Sequence, residues 1–320
     1  MAELLTFGDT ALELSPRESE RFATARDARL HASGIESGAA AAATAVGADG
    51  TWVSRLPDAA PSRRVVGQLR EHGVATDVTW VDPDDARQGL VFRERGRDPR
   101  EEAVVYDWQG TAVAAGGAED LPTERVRAAD TVFVGASTAV LSEPAGETVG
   151  AVLRAAREAG VTTALAVDYR PGLRPVERYR ETLADLIASV DVLVVGDAHA
   201  ETVFGKTGRP RTLANTLAAE LDLATVVVTH PDGSAVALDV SPGTNVVHEQ
   251  SPPETNVVST TGRQAALMGG LLGRLADGAP LDEALTDGVA AAALACTVSG
   301  PLLTATPGEL SGVAARMADR

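Results

Sequence analysis

The stretch Ser259-Thr260-Thr261-Gly262-Arg263-Gln264-Ala265-Ala266-Leu267 decides how this chain is read. Two β-branched residues, Val257 and Val258, come before it. An apolar-periodic segment follows, carrying Ala266, Leu267, Gly270, Leu271, Arg274 and Leu275. Strand-like residues, two threonines with a glycine, and then a helix gather free backbone N–H groups and the positive end of a helix dipole at one point. That geometry binds anions, phosphates above all. The same residue types also make ordinary glycine-containing loops before surface helices, so the rest of the chain must decide between the two.

Composition narrows the field. With 320 residues, 44% of them hydrophobic, the chain can bury a large core as one α/β domain or two smaller ones. Aromatics are only 3%, so that core is built of Ala, Val and Leu. The net charge of −17 argues against nucleic acid and against anionic membranes as partners. Lys206 is the single lysine. Acid excess without lysine resembles proteins of salt-loving microbes, where charge screening in molar salt is nearly complete beyond about 3 Å. A high-GC genome accounts for the missing lysine but not for the excess acid. Cys296 is the single cysteine, so no internal disulfide forms; its apolar surroundings predict a small buried side chain. No apolar run is long enough to span a bilayer and the N-terminus lacks a signal-peptide pattern, which predicts a soluble, cytoplasmic protein.

Hydrophobic patterning predicts a strand pair over 4–14 broken at Gly8-Asp9, then a helix over 39–46. A strand over 51–56 and a helix over 63–72 follow. Residues 89–95 and 103–108 form a hairpin around a charged loop. From 131 onward short apolar runs (131–134, 162–167, 191–195) alternate with helices (146–159, 176–190). This is the pattern of right-handed βαβ crossovers and a parallel sheet. A hairpin over 236–238 and 244–248 and helices over 281–298 and 307–318 close the chain. Ligands of such sheets bind beyond the carboxyl ends of the strands.

Several motifs at those ends carry a resemblance. The opening stretch resembles the Asp-Thr-Thr-Gly-Ala-Gly-Asp-Ala-Phe signature of the ribokinase-like (PfkB) sugar kinases, matching at Thr260, Thr261, Gly262 and Ala266. The run from Phe7 to Pro16, the segment Gly34-Ile35-Glu36-Ser37 and the segment Tyr169-Arg170-Pro171 are similar to the 2-keto-3-deoxygluconate kinase branch. The resemblance runs in order along essentially the whole chain. It implies a three-layer α/β/α fold over 1–320 with a mostly parallel central sheet and a small β lid from about 10–33 and 87–113.

It also implies a site. Thr261, Gly262 and Arg263 stand at the anion hole; Glu13, Gly34, Tyr106 and Arg170 at the sugar; Asp197, Thr229 and Gly233 at the nucleotide. From the residues alone, Glu13 could equally be a solvent-facing strand carboxylate and Arg170 a salt bridge at a helix start. ATP and Mg²⁺ are the cofactors the resemblance implies, a sugar or phosphate ligand the partner, and a homodimer through the lid the assembly.

The departures fall on the chemistry. The family's proton-accepting Asp is Ala265, its sugar-binding Asn is Gly38, its lid Arg is Trp108, and its Mg²⁺-organising Asn-Glu-x-Glu is Gly196-Asp197-Ala198-His199. A methyl group accepts no proton, and Mg²⁺ prefers oxygen to the imidazole of His199. His199 reads as a helix-surface residue. The leading expectation is a catalytically weakened sugar-kinase paralogue that still binds a sugar acid, a phosphate ester or a nucleotide. An active kinase using Asp168 or His230 as base, and a purely structural subunit, are the alternatives.

Overall fold

The structure, a computed structural model, describes residues 2–17, 20–96, 99–117, 121–241 and 244–318. Glu18, Ser19, Arg97 and Asp98 of the expected lid lie outside the described residues.

Thirteen strands form among the described residues: β1 (Glu3–Phe7), β2 (Ala11–Ser15), β3 (Arg29–Ser33), β4 (Asp49–Pro57), β5 (Ala75–Val81), β6 (Leu90–Glu94), β7 (Ala103–Asp107), β8 (Thr131–Gly135), β9 (Thr162–Val167), β10 (Val192–Gly196), β11 (Thr225–Thr229), β12 (Ala235–Ser241) and β13 (Thr244–Gln250). Nine make one sheet in the order β13-β12-β11-β10-β9-β8-β1-β4-β5. Its pairings are parallel from β5 to β11; the β11–β12 and β12–β13 pairings are antiparallel.

The central strands β8, β9, β10 and β11 are buried on both faces, so they lack polar alternation. Leu5, Leu193 and Val195 pack on one side; Leu4, Val192 and Val194 pack on the other. The second side is covered by the helices Ile35–Ala45, Arg263–Ala276 and Leu281–Ala295. These lie very close together because small residues meet there. A Cβ on Gly269 would fall 2.1 Å from the Ala39 carbonyl oxygen, and one on Gly270 would fall 2.9 Å from the Gly288 Cα. Glycines at these contacts seat the Arg263–Ala276 helix, and hence the turn at its start.

The other four strands form a small sheet, β3-β2-β6-β7, which is the expected lid. It is antiparallel at β2–β3 and β6–β7 and parallel at β2–β6.

Two expectations change. Val257 and Val258 are not in a strand; they are 60% and 48% exposed, and Val258 N donates to the Cys296 carbonyl at 2.8 Å. The segment is therefore tied to the end of the Leu281–Ala295 helix rather than to a sheet edge, which their β-branching could not reveal. That helix itself ends at Ala295, not Val298, and buries Cys296 at its C-cap as expected. No helix among the described residues is long and apolar enough to cross a membrane.

Candidate active site

Five strand ends converge at one edge of the large sheet. Asp9 follows β1, Ser137 follows β8, Asp168 follows β9, Asp197 follows β10 and His230 follows β11. The Arg263–Ala276 helix begins over this edge. Its cap, Gly262, has φ +83°, and a Cβ there would lie 2.2 Å from the Pro301 carbonyl oxygen, so only glycine fits. No side chain caps the helix. Arg263 N donates to the Thr260 carbonyl and Ala266 N to the Gly262 carbonyl. The N–H groups of Gln264 and Ala265 have no hydrogen-bond partner among the described residues. Two donors at the positive end of a helix thus stay available to an anion.

Two cavities flank this turn. The first, about 200 Å³ under the lid, is lined by Gly34, Tyr106, Arg170, Thr261, Gly262 and Ala265. The second, about 190 Å³, is lined by Asp197, Thr229, Gly233, His199, His230 and Arg263. Gln264 lines both and forms part of the wall between them. Most of the residues expected at the sugar and the anion hole therefore meet in the first cavity. Those expected at the nucleotide meet in the second.

Arg170 is fixed in the first cavity from three sides. Its Nη2 donates to Asp168 Oδ2 at 3.0 Å, and its guanidinium lies 5.0 Å from the Trp108 ring centroid and 5.6 Å from that of Tyr106. Asp168 is held in turn by Ser137, whose N and Oγ donate to it at 2.8 and 2.5 Å. Trp108, where the resemblance puts a lid arginine, is buried and serves as the surface on which Arg170 rests.

Two expected site residues are placed differently. Glu13 does not line the first cavity and does not face solvent. It is buried, accepting from Ser33 Oγ at 3.0 Å and pairing with Arg93 Nε at 3.0 Å. Arg93 lines the cavity in its place, so the lid still offers a cation. Arg263, expected at the anion hole, does not line the first cavity. Its Nη1 donates to the Pro231 carbonyl at 2.8 Å, which draws the side chain into the second cavity.

Sequence reasoning missed Val91, Arg93, Gln264 and Pro301 in the first cavity. A signal existed for Arg93: it sits two residues beyond Val91 on β6, hence on the same strand face. For Pro301 the sequence carried none.

The position at which the resemblance puts a base carries no titratable group. A Cβ on Gly38 would fall 2.7 Å from the Ala265 Cβ, so the two positions that the resemblance fills with Asn and Asp face each other as a hydrogen and a methyl. The alternative bases lie elsewhere. Asp168 does not line the first cavity and is committed to Ser137 and Arg170. His230 borders the second cavity, 3.4 Å from Asp197 Oδ2 and 3.1 Å from Asp232 Oδ1.

Two further acids are buried beneath the strand ends. Glu36 accepts from Thr138 Oγ1 at 2.6 Å and Gly135 N at 3.0 Å; burial, reinforced by the nearby Asp168 charge, pushes its carboxyl up to about 7. Burial likewise raises Asp9 to about 6.

Among the described residues no group of three or more His, Cys, Asp or Glu could hold a metal ion by itself. His199 is half-buried, its Nδ1 2.8 Å from the Val167 carbonyl oxygen. The oxygen donors of the second cavity, Asp197, Thr229 and Ser234, do suit Mg²⁺ arriving with nucleotide phosphates, because Mg²⁺ takes one or two carboxylates and leaves other positions to phosphate and water.

The family description "pfkB family carbohydrate kinase" matches residues 1–307. The chain belongs to the pfkB family of carbohydrate kinases. It is 41% identical to a 2-dehydro-3-deoxygalactonokinase of Haloferax volcanii, over 98% of this chain and 96% of that one. Among solved structures it is similar to the 2-dehydro-3-deoxygluconokinase of Thermotoga maritima, with a TM-score of 0.89, 24% identity, and 98% and 100% of the two chains covered. An E. coli protein assigned as ribokinase II, in complex with ATP and Mg²⁺, has a TM-score of 0.85 at 16% identity, covering 99% and 100%. This pfkB member therefore has the ribokinase-like fold, with its lid and two adjoining cavities.

Proposed function

We propose that this pfkB member binds a 2-keto-3-deoxy sugar acid under the lid and ATP with Mg²⁺ in the neighbouring cavity, and that it transfers phosphate slowly. The observation that carries this reading is the pairing of a clamped Arg170 with a methyl at position 265 across one small cavity. Arg170 and Arg93 offer forked donors to a carboxylate. The uncapped N–H groups of Gln264 and Ala265 offer a place to charge developing on a transferring phosphate. Asp197, Thr229 and Ser234 hold the nucleotide side. ATP supplies the phosphoryl group and Mg²⁺ neutralises its charge.

Phosphoryl transfer depends mostly on position and electrostatics, and a general base adds about 10²–10⁴-fold. Removing only that base leaves a slow enzyme with an intact binding site. The sugar hydroxyl then gives its proton to water or phosphate rather than to the protein.

The test is ATP-dependent phosphorylation of 2-keto-3-deoxygluconate and 2-keto-3-deoxygalactonate, comparing the natural chain with Ala265→Asp. Gly38 leaves room opposite the new side chain. Under this reading the natural chain turns over well below the ordinary range of about 1–100 s⁻¹. Ala265→Asp raises kcat by about 10²-fold or more with little change in KM. The 41% identity with the Haloferax volcanii enzyme favours the competing reading, a fully active kinase. Ordinary turnover in the natural chain, with no gain from the aspartate, would establish that reading and remove ours. The acidic composition adds a proposal on conditions: the assay belongs in molar salt, where self-repulsion is screened. A homodimer through the exposed face of the lid, where Val105 stands out, completes the picture.

A further inference from the structure

Arg263 is the first residue of its helix, directly after the Gly262 cap. Side chains on a helix lean toward its N-terminus, so this one reaches back over the strand ends. There it meets the turn after β11. That turn is closed by its own groups: Gly233 N donates to the His230 carbonyl at 3.0 Å, and Ser234 N and Oγ donate to Asp232 Oδ1 at 2.8 and 2.6 Å. The Pro231 carbonyl is left over, and it accepts from Arg263 Nη1 at 2.8 Å.

A carbonyl orients a guanidinium without neutralising it. The Arg263 side chain makes no other hydrogen bond and no ion pair among the described residues. The segments that wall the second cavity here, 196–199, 229–234 and 263–264, are described without a break. Exposed arginines on other faces are neutralised: Arg211 pairs with Glu249 at 2.9 Å and Arg63 with Asp58 at 2.7 Å. Arg263 keeps its full charge, and its Nε and Nη2 form an unused two-donor fork.

The wall around that fork defines the ligand. Arg263 is the only guanidinium or ammonium lining the second cavity among the described residues, and Asp197 is the only carboxylate. Asp197 Oδ2 lies 3.4 Å from His230 Nε2, so the carboxylate is turned to the imidazole and the guanidinium is tethered to Pro231. A guanidinium fork matches a pair of phosphate oxygens, and Arg is preferred where two oxygens must be held in one plane. The turn that holds Arg263 also carries Gly233 and Ser234 into the same wall.

We propose that Arg263 binds the phosphate chain of the nucleotide in the second cavity, a role that rests on the nucleotide reading given above. The side chain thereby works on the phosphoryl donor and not on the sugar acid.

The experiment is calorimetric titration of the full chain with ATP, and separately with adenosine, in the presence of Mg²⁺ and without sugar. It is run on the natural chain, on Arg263→Gln, and on a control, Arg211→Gln, which removes an exposed charge from a surface ion pair elsewhere. Melting curves without ligand confirm that both variants fold. The proposal expects Arg263→Gln to weaken ATP at least about tenfold while the control changes it less than about twofold. Adenosine, which has no phosphate, binds the natural chain and Arg263→Gln equally or binds neither. An ATP loss in Arg263→Gln no larger than in the control overturns this role and leaves the nucleotide reading standing. A parallel loss of adenosine also overturns it, since Arg263 would then act on the nucleoside or on the shape of the cavity. Failure of the natural chain to bind ATP at all overturns the nucleotide reading, and this role with it.

Discussion

Arg170 and Arg263 stand on opposite sides of one helical turn, and they behave in opposite ways. Arg170 is 19% exposed, paired with a buried Asp168, stacked against Trp108 and Tyr106, and turned into the cavity under the lid. Arg263 follows the helix cap directly, yet its guanidinium leaves the turn for the Pro231 carbonyl. The arginine beside the turn in sequence thus lines the second cavity. The arginine that tertiary contacts place in the first cavity is ninety-three positions earlier. A cation acts where its partners hold it, and proximity along the chain says little about that.

The sharpest way to break this contrast is to remove the held arginine. Arg170→Ala leaves Asp168 buried without its counter-charge, and removing one partner of a buried pair costs about 3–5 kcal/mol. Denaturant unfolding should show that loss, and sugar-acid affinity should fall by about 10²-fold or more. A fully stable variant with unchanged affinity would make Arg170 no more than a surface charge.

The acids beneath Arg170 give the next test. Glu36 has a folded pKa of about 7 against a usual 4.5, so the folded state holds a proton that the unfolded state has released across that window. Stability therefore falls as pH rises from about 4.5 to about 7, and levels off above. Asp9, raised to about 6, adds to the same slope. Glu36→Gln removes the larger share and should gain on the order of 3 kcal/mol at pH 8 relative to pH 5. Urea unfolding at the two pH values measures it; an undiminished slope would mean that Glu36 is ionised in the fold.

A third change should blur the contrast by disturbing both sides together. Gly269→Ala puts a Cβ 2.1 Å from the Ala39 carbonyl oxygen, which forces the Arg263–Ala276 helix away from Ile35–Ala45. Overpacking of this kind costs about 1–3 kcal/mol. Thermal melts and both ligand affinities should fall in parallel; loss on one side alone would mean that the turn is seated by something other than the glycines. Arg263→Ala should have the smallest effect, less than about twofold on sugar-acid affinity and under 0.5 kcal/mol, about the usual value for surface substitutions, on stability. A large loss of sugar-acid binding would return Arg263 to the anion hole.

Much of the architecture was legible beforehand. The alternation of short apolar runs with helices from 131 onward became the parallel pairing of β8 to β10, because a strand covered on both faces is written as a continuous apolar segment. The lid hairpin appeared at 90–94 and 103–107, within a residue or two of where its alternation placed it. Val257 and Val258 have strand-like side chains but pair with no strand, because β-branching reports fitness for a pleated surface and not the presence of a neighbouring strand. Glu13 and Arg93 could not be paired from the sequence, since the contact spans eighty residues and exists only once β2 lies beside β6.

The amino-acid sequence alone determined the order of strands and helices, the glycine at the start of the Arg263–Ala276 helix, and the absence of a proton acceptor at position 265. These follow from local backbone sterics, from hydrophobic period and from the chemistry of a methyl group, none of which needs a distant partner. Tertiary structure decided which arginine enters the pocket, which acids are buried, and that Gly38 and Ala265 empty the same spot. Those depend on groups brought together from far along the chain, where burial and hydrogen-bond partners set both direction and charge.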